Sequence, residues 1–277
     1  MSTANAGNAG STAVPGPMLG AGREAEVYAW GEAAVLKLYR PGFGGHQAEA
    51  TALRCLDGAG IAPRLLDVAE RDGRTGLVLE RVHATDMLML LQRHPWRVLS
   101  LAGALAAAHR AVHQVVAPAD LPDLRTVLAT RIDDAVLPPR LRGFALRVLD
   151  GLPDGDRLCH GDYHPGNVLL AADRTAVIDW AAATRGAAEA DHARTLLLLR
   201  GADPLPGTPP LSRALIAVGR SLFAHRYTRT YRRGAAPPQQ VDSWLLVHAA
   251  ARLSEGIDAE RPLWTGMLDR AQRSSPR

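Results

Sequence analysis

The sequence predicts an α+β fold of two unequal parts, and three observations carry that prediction. Short runs rich in strand-forming residues, separated by Gly-containing turns, are concentrated before Val82. From Ala84 onward, long Ala- and Leu-rich segments with helical spacing dominate. One hairpin interrupts the helices: Asn167–Ala171 and Thr175–Ile178 flank the turn residues Ala172-Asp173-Arg174. At 277 residues the chain is long enough to bury a full core and to form two lobes.

The expected organisation is a tail over residues 1–16, a small lobe over 17–82 and a larger one over 83–277. Ala, Gly, Ser, Thr and Asn make up most of the tail, which has too little apolar surface to order itself. Glu26–Trp30 and Ala33–Tyr39 read as strands joined by a tight turn at Gly31-Glu32, with Gly20-Ala21-Gly22 ahead of them. His46–Leu56 has helical spacing, and Asp57-Gly58 ends it. Arg64–Ala69 and Gly76–Val82 read as two further strands around Arg71-Asp72-Gly73. The helices of the larger part are Ala84–Arg93, Trp96–Val116, two within Leu121–Leu152 split by Pro138-Pro139, Ala187–Leu199, Leu211–Arg232, Gln239–Ser254 and Arg261–Arg273. A loop covers Pro204–Pro210.

Composition narrows the function classes. Charged residues at 22% and apolar residues at 47% describe an ordinary soluble globule. The pI near 9.5 raises nucleic acid as a partner, but no basic run is interleaved with aromatics, which are only 5% of residues. No stretch has the length of a membrane span, and the N-terminus lacks a signal-peptide layout. Cys55 and Cys159 have neither metal-site nor disulfide spacing, so a reducing, cytoplasmic setting is expected. Of 32 basic residues, 31 are Arg and one is Lys37. A chain so biased toward the broad guanidinium fork keeps lysine where a compact ammonium is required, unless Lys37 survives by chance.

The chemistry-bearing stretch is Leu158–Trp180, LCHGDYHPGNVLLAADRTAVIDW. Asp162 lies before the first hairpin strand, Asn167 follows five residues later, and Asp179 ends the second strand. The hairpin therefore brings two carboxylates and a carboxamide together, a set suited to a hydroxyl nucleophile beside Mg²⁺, which prefers oxygen ligands. HGDYHPGN followed by IDW resembles the core of the aminoglycoside phosphotransferase and choline kinase group, distant relatives of the protein kinases. The protein-kinase counterparts are H-R-D-x-x-x-x-N and D-F-G; here Gly161 stands in place of Arg and Asp179-Trp180-Ala181 in place of D-F-G. Gly161 points to the small-molecule branch.

The resemblance implies a bilobal protein-kinase-like fold. It also implies transfer of the γ-phosphoryl group of ATP or GTP to a hydroxylated small molecule, with Asp162 catalytic and Mg²⁺ on Asn167 and Asp179. Gly20 and Gly22, then Val27, then Lys37 follow the order of the family's glycine loop, Val and phosphate-binding Lys, although Ala25 replaces the third Gly and the G-x-G by itself reads as a hairpin turn. By elimination among Glu49, Asp57 and Asp67, Glu49 is the carboxylate placed to hold Lys37; the alternative is a solvated first-turn Glu. Backbone around Glu80–Val82 would pair with the base. Asp191 resembles the family's acid behind the catalytic loop, the alternative being a helix N-terminal carboxylate.

His109 and His113, at i and i+4, have a spacing that could bind zinc, but no third ligand is evident, and they read as helix residues near the core. His160 and His164 flank Asp162 and read as structural. From Ala181 on, eight acids face fourteen arginines, including Arg226, Arg229, Arg232 and Arg233. That balance points away from a polycationic aminoglycoside and toward a neutral or less basic metabolite or antibiotic, unless Glu255, Asp258 and Glu260 form an acidic rim. A protein kinase and a nucleotide-binding pseudokinase are the alternatives; Gly161 opposes the first, and retention of Lys37, Asp162 and Asn167 opposes the second.

Overall fold

A computed structural model of the chain describes residues 14–201, 210–233 and 240–274. The first part is an antiparallel five-stranded sheet of β1 (Met18–Ala21), β2 (Ala25–Trp30), β3 (Ala34–Tyr39), β4 (Leu65–Arg71) and β5 (Arg74–Glu80), in the order β1-β2-β3-β5-β4. Its one helix, α1 (His46–Cys55), lies between β3 and β4. Asp72 and Gly73 both have positive φ (51° and 70°), the conformation a two-residue hairpin with Asp-Gly requires.

Alternation along β3 sorts its side chains. Leu36 and Leu38 join Trp30, Ala34 and Val78 in a small apolar cluster on one face. Val35, Lys37 and Tyr39 point to the other, where Val35 and Lys37 line a cleft and Tyr39 is buried. Arg71 covers the outer cluster with its guanidinium 5.4 Å from the Trp30 ring centroid.

The second part contains α2 (Met87–Arg93), α3 (Val98–Val112), α4 (Leu124–Asp134), α5 (Pro139–Asp150), α6 (Ala188–Gly201), α7 (Pro210–Tyr231), α8 (Val241–Arg252) and α9 (Arg261–Ser274). The predicted hairpin is β8 (Val168–Leu170) with β9 (Thr175–Val177), joined at its edge by β6 (Thr85–Asp86). A second small sheet pairs β7 (Arg157–Cys159) with β10 (Thr184–Gly186). The fold is thus bilobal and α+β, of protein-kinase-like architecture.

Several elements differ from expectation. The helix expected from Ala84 begins at Met87, because Thr85-Asp86 pair with β8 and the Asp86 side chain then caps α2 by accepting from the Met89 amide (2.8 Å). A short 3₁₀ turn at Pro95–Arg97 precedes α3. Residues 1–13 of the expected tail lie outside the described residues, and Gly16 is tied to β2 by donating to the Ala29 carbonyl (2.8 Å). Of the expected Pro204–Pro210 loop only Pro210 is described, where α7 begins.

Two contacts fasten the small lobe's helical side to the hairpin. The Val177 amide donates to the Ile61 carbonyl at 2.8 Å. Gly45, at the start of α1, packs so closely on Ala181 that a Cβ there would lie 2.8 Å from the Ala181 Cβ. In the large lobe α8 is the central helix, packed against α4, α5, α6 and α9. Its Trp244 is fully buried. Trp244→Ala is therefore expected to lower stability by about 3–5 kcal/mol, read from the urea midpoint at constant m.

Candidate active site

A cleft of 1140 Å³ lies between the lobes, and Lys37, Glu49, Asp162, Asn167 and Asp179 all line it. Lys37 Nζ sits between two carboxylates, 2.6 Å from Glu49 Oε2 and 2.7 Å from Asp179 Oδ1. Burial works against the ammonium, but Glu49 and Asp179 overcome it and hold its pKa above the ordinary lysine value. Glu49 is 1% exposed and fully engaged. Oε2 also accepts from the Tyr39 hydroxyl, and Oε1 accepts from the Trp180 amide at 3.3 Å. A surface role for Glu49 is thereby excluded.

The loop before β8 is set by its turn residues. Gly161 has φ 78°, and a Cβ there would lie 2.4 Å from the Ala182 carbonyl oxygen, so a side chain as large as the kinase arginine has no room. His160 Nδ1 accepts from the Asp162 amide (3.2 Å), which leaves Nε2–H to donate to the Ile178 carbonyl (3.0 Å). His164 Nδ1 accepts from the Gly166 amide (3.0 Å), so its Nε2–H faces Asp162 Oδ2 at 3.6 Å. Neither ring has a nitrogen left over as a proton acceptor. Asn167 donates Nδ2–H to the Asp162 carbonyl (2.9 Å), committing the amide end. Asp179 itself has φ 67°, an unusual backbone for a non-glycine residue of the kind that clusters at functional sites.

Burial would raise the Asp162 carboxyl, but His164, Arg194 and His160 outweigh it and hold the pKa at about 2. Arg194 of α6 also donates to the Gly161 carbonyl (3.2 Å).

Behind this loop lies Asp191, 1% exposed. Its Oδ2 accepts from the His160 amide (2.7 Å), His109 Nε2 (3.0 Å) and His113 Nε2 (3.1 Å), and Oδ1 accepts from the Gly161 amide (2.9 Å). The third group absent from the sequence reading of His109 and His113 is thus Asp191. With both Nε2–H groups given to Asp191, Nδ1 of His109 and of His113 accept from the Tyr227 and Tyr231 hydroxyls, each at 2.6 Å. All four ring nitrogens are used in hydrogen bonds, and the cluster braces the loop.

Val27 and Gly22 line the cleft, whereas Gly20 is paired opposite Val27 in the sheet and is not among the described residues of the lining. Glu80 has its amide on the Arg64 carbonyl (2.9 Å) and its side chain on Arg174 (2.5 Å), while the Val82 amide has no protein partner among the described residues. Sequence reasoning missed Glu24, Arg131 and Arg194 in the lining. Arg194 alone left a signal, one helical turn after Asp191. The acidic rim does not form as a free surface: Glu255 and Glu260 are bound by Arg252, and Asp258 pairs with Arg261 at 3.2 Å. Arg226, Arg229, Arg232 and Arg233 lie outside the cleft lining.

The chain belongs to the phosphotransferase enzyme family (APH), whose model matches residues 18–237. Among solved structures it is similar to aminoglycoside phosphotransferase APH(4)-Ia, with 19% identity, 94% of each chain covered and a TM-score of 0.63. It is also similar to a choline/ethanolamine kinase family protein from Mesorhizobium loti, with 20% identity over 97% of this chain and 90% of that one, TM-score 0.62. A third is the amicoumacin kinase hAmiN, solved with AMP-PNP, Ca²⁺ and Ami, with 15% identity, 92% and 87% coverage and TM-score 0.62. These likenesses concern the fold. No curated protein matches the chain. No helix among the described residues is long and apolar enough to cross a membrane.

The buried histidines fix a pH dependence. Burial first, and then neighbouring positive charge, hold His109 and His248 at about 3 and His192 at about 2, against 6.5 when unfolded. Below pH 6.5 the unfolded chain takes up protons that the folded chain refuses, so stability is full above 6.5 and falls with pH. Each histidine contributes a slope of about 1.4 kcal/mol per pH unit until its folded pKa is approached. Urea midpoints should therefore be flat from pH 8 to 7 and fall from 6 to 4, with His248→Phe making that decline shallower by about a third.

Proposed function

We propose that the protein is a small-molecule kinase. It transfers the γ-phosphoryl group of ATP or GTP to a hydroxyl of a metabolite or antibiotic. The observation that carries this reading is the lone lysine of the chain, fixed between Glu49 and Asp179 in the same cleft as Asp162 and Asn167. Nucleotide and ligand complexes of similar folds support it: a thermostable mutant of APH(4)-Ia has been solved with AMP-PNP and hygromycin B, and hAmiN with AMP-PNP.

In this reading Lys37 neutralises the α- and β-phosphates, and Glu49 fixes its position. Gly22 and Val27 cover the nucleotide, and the free Val82 amide and the Glu80 region flank the base. The donor set fits Mg²⁺: a carboxylate on Asp179 and the carboxamide oxygen of Asn167, whose nitrogen is committed to Asp162, are hard oxygen ligands. Bound there, Mg²⁺ would supply charge neutralisation at the phosphates. Asp162 accepts a hydrogen bond from the acceptor hydroxyl and orients its oxygen toward the γ-phosphorus. The new P–O bond forms as the bond to the nucleoside diphosphate breaks, and the hydroxyl proton passes to Asp162. A carboxyl held at about 2 is a weak base, so it orients the nucleophile and takes the proton late, as suits a loose phosphoryl-transfer transition state.

The test is Mg²⁺-dependent ADP and GDP release across acceptors of different charge. Asp162→Asn should cut acceptor-stimulated release by about 10²–10⁴-fold while AMP-PNP binding persists, and retained turnover in that variant would sink the assignment. Lys37→Arg keeps the charge but not the compact ammonium. It should raise the nucleotide KM by about tenfold or more, and an unchanged KM would remove Lys37 from the phosphate site.

A further inference from the structure

Beyond Asp162 the cleft is walled by Arg131 of α4, Arg194 of α6, and Arg252 and Glu255 at the end of α8. Their pairing is uneven. Glu255 is clasped from both sides, by Arg194 Nη2 at 2.9 Å on Oε1 and by Arg252 Nη1 on Oε2. Arg252 in addition forks onto Glu260, with Nε and Nη2 each 2.9 Å from a carboxylate oxygen. Arg194 reaches Asp162 at 3.8 Å.

Arg131 is different. Half-buried and lining the cleft, its guanidinium has no hydrogen bond or ion pair among the described residues. Burial and repulsion from Arg194 push its pKa down, while Glu255, Asp162 and Glu24 act in the opposite sense. Those three carboxylates are within its electrostatic reach, yet none forms an ion pair with it. Arg194 and Arg252 between them take up Asp162, Glu255 and Glu260, so the formal charges of this wall balance while the pairing does not: Arg131, and Glu24 in the same cleft, are each without an ion pair among the described residues.

We infer that Arg131 anchors an oxyanion of the acceptor, a carboxylate or phosphate group, so that the preferred substrate is an acidic hydroxylated molecule rather than a polycation. The inference rests on the phosphotransferase reading and specifies the acceptor of that site. A planar guanidinium with free N–H groups is matched to such an oxyanion by paired hydrogen bonds. A cationic acceptor would meet the Arg131 guanidinium, which no carboxylate pairs, and would find Glu255 already occupied.

The experiment maps arginine modification by phenylglyoxal, residue by residue, with Mg²⁺–AMP-PNP saturating. The probes are one sugar in four forms: gluconate, glucose 6-phosphate, glucose and glucosamine. The expected result is that Arg131 reacts fastest among the cleft arginines and is slowed about fivefold or more by gluconate or by glucose 6-phosphate, but not by glucose or glucosamine. The two anionic arms separate carboxylate from phosphate. Equal reactivity with all four probes overturns the inference, and so does complete protection by AMP-PNP alone, which would assign Arg131 to the nucleotide. Arg131→Lys serves beside Arg131→Met: both should lose the protection seen by probe-induced rise in melting temperature, Lys in part and Met fully. A rise in melting temperature on adding Mg²⁺–AMP-PNP controls for folding and separates the two claims. If that rise is absent from the wild-type chain, the kinase reading fails; if it is present without anion protection, only the acceptor inference fails.

Discussion

One buried carboxylate holds the loop before β8 in shape. Asp191 lies under the turn at His160-Gly161 and accepts both of its amides, while two imidazoles of α3 donate to the same side chain. Without those donors a fully buried acid would be protonated or displaced; with them it is held well below the usual carboxylate range. The same bonds tie α3, α6 and the loop into one unit, and Tyr227 and Tyr231 extend the network to α7. The loop conformation is therefore set by the helical lobe, and Asp162 inherits its position from it.

Above the loop a second buried acid plays the corresponding part for the small lobe. Glu49 receives Lys37, the Tyr39 hydroxyl and the Trp180 amide, so one side chain on α1 touches β3 and the segment after β9. Both arrangements share a logic: each buried acid is surrounded by donors from more than one element, which fixes the relative placement of those elements. Removing a partner weakens the compensation of a buried charge, which costs more than losing the same bond at the surface.

Much of this was legible in the sequence because the chemistry there is local. The spacing of Asp162, Asn167 and Asp179 around one hairpin, and the rarity of lysine in a chain of arginines, located the cleft from within a few short segments. Glu49 could be reached because few acids lie between β3 and β4. Arg131 could not, since it borders an apolar helical face formed by Leu124, Leu128 and Ile132 and looks like any helix-surface arginine until α8 is packed beside it. The acidic rim failed in part for the same reason: Arg252 stands three residues before Glu255, close enough to read from the sequence, but only folding brings Arg194 onto Glu255 and Arg252 onto Glu260. The strand Thr85-Asp86 is two residues long and leaves no periodicity to detect.

The fastening of α1 to the larger lobe has a mechanical consequence. Ile61 is bonded to β9 and Gly45 is pressed against Ala181, so the helix side of the small lobe travels with the hairpin. The five-stranded sheet continues into the larger lobe through Arg81–Ala84, the strap between β5 and β6. Between β3 and α1 runs a seam that Glu49 closes with two bonds from β3, one from Lys37 and one from the Tyr39 hydroxyl. That pair of bonds works as a clasp: β3 cannot part from α1 without stranding a buried carboxylate.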